Sequence, residues 1–115
     1  MGNTDLRYQA TTPGEAETLR AQLPDFQTAT ALGRQAQALS DSNRLILLAL
    51  LVEAGELCVS DLCLITEREQ SGVSRHLRIL WDRGLVEKER RGVLLFYRAT
   101  SLGEQLLRAL LPAAD

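Results

Sequence analysis

Both cysteines of the chain lie in one short stretch, Glu56-Leu-Cys-Val-Ser-Asp-Leu-Cys63. Thiolates are soft ligands and good nucleophiles, so Cys58 and Cys63 together could hold a thiophilic ion or react with an oxidant. Directly downstream runs Gln70-Ser-Gly-Val-Ser-Arg-His-Leu-Arg-Ile-Leu80. Val73, Leu77 and Leu80 recur at helical spacing and form an apolar stripe. Ser71, Ser74, Arg75 and Arg78 then fall largely on the other side, with Gln70 at the leading end. These types suit the reading of a DNA groove: Arg to guanine, Gln to adenine, Ser to bases or phosphates. A helix N-terminus also favours a phosphate. A pair of soft ligands joined to a groove-reading helix describes a regulator that senses something thiophilic. The plainer account is the polar face of an ordinary amphipathic helix beside two small core cysteines.

Spacing constrains the thiols. Five residues apart in an unbroken helix, they would differ by ~140° in azimuth at ~3.6 residues per turn and share no face. If Ser60 caps the following helix, Cys58 lies outside it and folds back toward Cys63 in the first turn. Binding a soft ion then distorts the element packed behind the reading helix, which supplies a switch.

The elements that must position these residues can be read in order. Met1 to Pro13 is polar and closes on Thr-Thr-Pro, the pattern of a flexible arm, leaving 14–115 as one domain. Gly14 to Leu23 suits a helix that Pro24 ends, and Asp25 caps a second from Phe26 to Leu39. Asp41 precedes a third, Ser42 to Ala54, apolar on nearly all sides and stopped by Gly55. A short helix over 60–66 and a Glu67-Arg-Glu turn lead into Gln70 to Arg83, with Gly84 as its C-terminal cap. The period then changes. Leu85 to Arg90 and Val93 to Ala99 flank Arg91-Gly92 as a β-hairpin, with Lys88, Arg90 and Arg91 at its tip and Arg98 at its far end. Ser101 opens a last helix with Leu102, Leu106, Leu107, Leu110 and Leu111 apolar, and Pro112 ends it. A tight helix pair followed by a basic hairpin is the winged helix-turn-helix plan, mainly α with a small β-hairpin.

The formal net charge is −2. Its distribution matters more than its total. Residues 66–98 hold eight basic and five acidic side chains, while residues 1–65 hold four basic and eight acidic. A local basic region can attract phosphate on a chain that is negative as a whole. The longest unbroken apolar run, Leu45 to Val52, is far short of the ~20 residues of a membrane span. The first ten residues lack the order of a signal peptide, so a cytoplasmic protein without a membrane partner is expected. No nucleophile–base pair, Gly-rich phosphate loop or catalytic metal set is present, so the chain does not read as an enzyme.

Ser74-Arg-His-Leu-Arg-Ile-Leu80, followed by Gly-Leu-Val, Arg90-Arg-Gly92 and Tyr97-Arg98, resembles the ArsR/SmtB family of bacterial metal-responsive repressors. The likeness covers roughly residues 38 to 100, including Asp41-Ser-Asn-Arg-Leu45. It implies a homodimeric winged-helix repressor of double-stranded operator DNA, paired through its terminal helices, with the apolar segments 15–36 and 102–111 as the surfaces to bury. It also implies Gln70, Ser71, Ser74, Arg75 and His76 as DNA contacts. His76, the single histidine, fits a DNA-facing or packed group better than a metal ligand.

The thiol stretch resembles the family's arsenic-sensing branch, Glu-Leu-Cys-Val-Cys-Asp-Leu-Cys. Cys58 and Cys63 match its outer cysteines, and Ser60 stands in place of the middle one. Trivalent arsenic or antimony favours three thiolates, so a third donor or solvent must complete a site built on these two. The arm has no cysteine for the family's four-thiolate cadmium or lead site, and the last helix has Glu104 but no histidine for its zinc site. The resemblance thus implies a repressor released by As(III) or Sb(III) through Cys58 and Cys63, with no permanent cofactor. Two alternatives remain: a repressor switched by a Cys58–Cys63 disulfide, and a winged-helix protein-interaction module with silent cysteines.

Overall fold

The computed structural model describes residues 9–112 of the chain. It divides into two compact units between Thr30 and Ala31. The first unit contains α1 (Pro13–Arg20) and the start of α2 (Phe26–Gln37), and neither helix has a buried residue. Thr-Thr-Pro begins α1 instead of closing an arm. Thr12 accepts a hydrogen bond from the Glu15 backbone N–H, the Glu15 carboxylate accepts one from the Thr12 N–H, and Pro13 occupies the first helical position. This reciprocal box fills two of the unpaired N–H groups that every helix start leaves. Of the expected arm, residues 1–8 lie outside the described residues. The helix ends at Arg20, not Leu23, in a turn closed by Gln22 N–H to Leu19 O and Leu23 N–H to Arg20 O.

The second unit carries the remaining elements. A 3-10 turn over Ala38–Ser40 takes over where α2 stops, two residues before the expected end, and buries Ala38 and Leu39. Asp41 caps α3 (Ser42–Ala54) by accepting from the Asn43 and Arg44 backbone N–H groups at 2.8 and 3.2 Å. Then follow β1 (Leu57–Cys58), α4 (Val59–Thr66), α5 (Gln70–Asp82), β2 (Val86–Arg91), β3 (Leu94–Ala99) and α6 (Ser101–Leu110). The place of α3 explains part of its apolar circumference: Leu47, Leu48 and Leu51 are buried, and α5, β3 and α6 all pack against the helix, while Ile46 stays 48% exposed.

The α5 stripe closes onto this core, with Val73, Leu77 and Leu80 buried. Gly84, at φ 75°, lets the chain turn back so that Leu85 N–H bonds Leu80 O and Gly84 N–H bonds Trp81 O. That double closure, with Leu80 and Leu85 both fully buried, fixes where the helix ends and the wing begins. The hairpin turn is Gly92-Val93, one residue later than expected, since Arg91 pairs with Leu94. Gly92 takes φ 63° at the first of two loop positions, where a two-residue hairpin wants glycine.

The sheet has a third strand that the sequence did not suggest. β1 pairs antiparallel with β3, Leu57 opposite Tyr97 and Cys58 opposite Phe96, giving the order β1-β3-β2. Two residues make too short a strand to show an alternation.

α6 is locked against the wing root. A Cβ added at Gly103 would collide with the backbone oxygen of Leu85 and meet Leu48 Cδ1 at 3.3 Å. That oxygen already accepts from the Thr100 N–H. Gly103→Ala should therefore lower stability by about 2 kcal/mol despite the ~1 kcal/mol that alanine favours a helix, because overpacked cores cost about 1–3 kcal/mol. Thermal denaturation checks this; an unchanged Tm would mean that α6 can shift freely.

Candidate DNA-reading face and thiol pair

On α5 the outward residues are those the periodicity selected. Gln70, Ser71, Ser74, Arg75 and Arg78 are exposed. Glu69 occupies the cap position without a side-chain capping bond, so the leading turn keeps unfilled N–H groups. Among the described residues, Arg75 and Arg78 have no carboxylate within salt-bridge distance, so both charges are available to a partner. His76 differs. It is half-buried, with Nδ1 3.4 Å from the Arg44 guanidinium, whose Nε donates to Ala38 O at 2.6 Å. The structure thus places His76 on the seam between α5 and the start of α3. The adjoining Asp41 carboxyl is held below the usual carboxylate range, first by the Arg44 backbone N–H and further by that of Asn43 and the charges of His76 and Arg44, against an opposing desolvation.

The wing cations separate into three environments. Arg90, near the tip, has no carboxylate within reach among the described residues. Lys88 is not at the tip: it sits mid-strand opposite Tyr97, its Nζ 4.2 Å from the Trp81 ring, a cation–π contact to the end of α5. Arg91 donates to both Glu56 oxygens, at 2.6 and 2.8 Å, and to Glu89 at 2.9 Å, and lies over the Phe96 ring at 4.5 Å. Its hydrogen bond and charge hold the Glu89 carboxyl below the ordinary range. Arg98 pairs with Glu87 at 3.3 Å and approaches Glu56 at 3.7 Å. Sequence reasoning found the cations and missed these partners. Glu56 was visible only as the first letter of the thiol motif, and its role depends on β1.

The thiols are placed differently from expectation. Helix α4 begins at Val59, so Ser60 lies inside it, exposed, and does not cap it. Cys58 is the cap residue, extended at φ −83° and ψ 165°, and makes no side-chain capping bond. The expectation that Cys58 lies before the helical residues therefore holds, with the cap two residues earlier than Ser60. Both cysteines are free: Cys58 is buried on the edge strand β1, and Cys63, in the second turn of α4, is half-buried. Among the described residues no three His, Cys, Asp or Glu side chains gather as a metal cluster.

Residues 41–88 match the family model described as "Bacterial regulatory protein, arsR family". The chain is 43% identical over 60 residues to the arsenical resistance operon repressor of Escherichia coli, an alignment covering 52% of this chain and 51% of that protein. It thus spans about half the length of that relative. Among solved structures it is similar to HlyU from Vibrio cholerae, with TM-score 0.69, 25% identity, and 75% and 94% of the two chains covered. It is also similar to a homodimeric winged helix-turn-helix DNA-binding domain from Mycobacterium bovis, described as a possible ArsR-family transcriptional regulator. There the TM-score is 0.62 and the identity 31%, over 76% of this chain and 80% of that one.

Proposed function

This chain belongs to the ArsR family of bacterial regulatory proteins, and from that premise we propose that it is a cytoplasmic homodimeric repressor that leaves its operator when Cys58 and Cys63 bind As(III) or Sb(III). Its winged helix-turn-helix fold is that of transcriptional regulators and not of enzymes. The observation that carries the DNA reading is the outer face of α5, where Arg75 and Arg78 stand exposed and, among the described residues, unpaired beside Gln70, Ser71 and Ser74. Isolated surface arginines with open donors suit phosphate and guanine equally. Arg90 on the wing supplies a further backbone contact. His76 acts through Arg44, setting the angle of α5 on α3, and Lys88 acts through Trp81. No described helix is long and apolar enough to cross a membrane.

A dimer is supported by apolar surface left uncovered: Leu32 of α2 is 53% exposed, and Leu110 of α6 is 60% exposed. On the thiol side, support comes from Cys58 standing at the junction of β1 and α4. Cys63 follows in the same short helix, so a bridging ion would draw on the element packed against α5. Solvent or a third donor completes the coordination.

A salt series on duplex DNA tests the first half. Phosphate contacts release counterions, so log K should fall linearly with log salt, with a slope of about −0.9 per contact. A flat dependence would replace the repressor with a protein-binding module. Adding arsenite to the reduced complex without oxidant tests the second half; release only in the presence of oxidant would assign the thiols to disulfide chemistry.

A further inference from the structure

The strand register brings the thiol segment and the wing into one cross-strand array. Residues directly opposite on neighbouring strands share a face of the sheet. Cys58, Phe96 and Glu89 therefore form one row across β1, β3 and β2. The antiparallel count puts Glu56, Arg98 and Glu87 in the adjoining row on the same face, as their ion pairs at 3.7 and 3.3 Å require. Arg91 bridges the rows. Its guanidinium lies over Phe96, the residue opposite Cys58, and reaches from Glu89 on β2 to both oxygens of Glu56 beside β1. A bidentate carboxylate pair of this kind specifies direction as well as distance. Three carboxylates thus meet two guanidinium groups, and the Arg91 and Arg98 charges are matched within the protein instead of being offered outward.

We propose that Glu56 is a positioning residue: it clamps Arg91 and Arg98 and so ties the wing to the segment that carries Cys58. This rests on the thiol-site reading above and names its route to the DNA. A single residue, Leu57, separates Glu56 from Cys58 along the chain, and Cys58 is itself part of β1. When an ion draws Cys58 toward Cys63 in α4, β1 must shift along β3, and the Glu56–Arg91 pair cannot keep both short bonds. The wing then loses its fixed orientation relative to α5, while Cys63 acts on α5 through α4. Removal of the clamp should leave the ion bound and the message undelivered.

Glu56→Gln keeps the shape and removes the charge. Its arsenite stoichiometry should equal that of the parent chain. The ratio of operator Kd with and without arsenite should shrink by about 2- to 30-fold, the range of couplings carried by such connecting residues. Freed of one carboxylate, Arg91 should also meet phosphate, so the salt dependence of DNA binding steepens by about one per subunit. Arg91→Lys retains the charge but cannot form the two-pronged pair, and it should lose the arsenite response without the added positive charge. Full release in both variants would overturn the coupling. If the parent chain binds no arsenite, it is the thiol reading that fails, and the clamp then stands or falls on the salt slope of Glu56→Gln.

Discussion

Replacing Arg75 by alanine should weaken operator binding by about 1–3 kcal/mol for each half-site, on the order of 10- to 100-fold, while the thermal transition stays where it was. Two observations combine in this expectation. Arg75 is exposed on the outer face of α5 and has no carboxylate partner among the described residues, so nothing in the fold depends on it. Surface substitutions of that kind change stability by about 0.5 kcal/mol or less. Its place in the second turn of α5, one helical turn beyond Ser71, is where a side chain reaches base edges once the helix N-terminus meets the backbone. Fluorescence anisotropy on labelled operator, beside a denaturation curve, separates the two effects. Parent-like affinity would take Arg75 off the reading face. A uniform loss on specific and random DNA alike would make it a phosphate contact and not a base contact.

The contrast between Arg75 and Arg91 shows what periodicity can and cannot reveal. A 3.6-residue stripe of Val73, Leu77 and Leu80 is enough to predict which side of α5 is buried, because helical side-chain direction follows from local geometry alone. The same reasoning located α3, its Asp41 cap and the Gly84 stop. Long-range pairing is a different matter. Glu56 and Arg91 stand 35 residues apart, and only the β1–β3 ladder brings them together. Nothing in Leu57-Cys58 announces a strand: it is two residues long and is stabilised by its partner, not by its own propensity. The thiol boundary failed for a related reason. Ser60 is the better capping residue by type, but pairing of Cys58 with Phe96 holds Cys58 extended and starts α4 at Val59. Tertiary structure overruled a local preference worth about 1 kcal/mol.

That placement makes the two thiols unequal, and single substitutions should show it. Cys63→Ser changes a half-buried side chain, so stability should fall little and operator binding should persist. Cys58→Ser puts a hydroxyl at a position only 5% exposed, next to Leu57 and Phe96, and an unsatisfied buried hydroxyl costs about 1–3 kcal/mol. Its Tm should therefore drop while that of Cys63→Ser does not. Both variants should nonetheless lose the response to arsenite, with the concentration needed for release rising by at least about tenfold, since even indirect changes around a metal site cost 10- to 100-fold. A Cys58→Ala variant guards against misreading the stability loss, as it removes the thiol without burying a polar group. If Cys58→Ala and Cys63→Ser both still leave DNA at the parent arsenite concentration, these thiols are core residues and no more. If only Cys63→Ser responds normally, the ion is held at Cys58 and the β1 edge. The signal would then enter through the wing, with no need for α4 to deform.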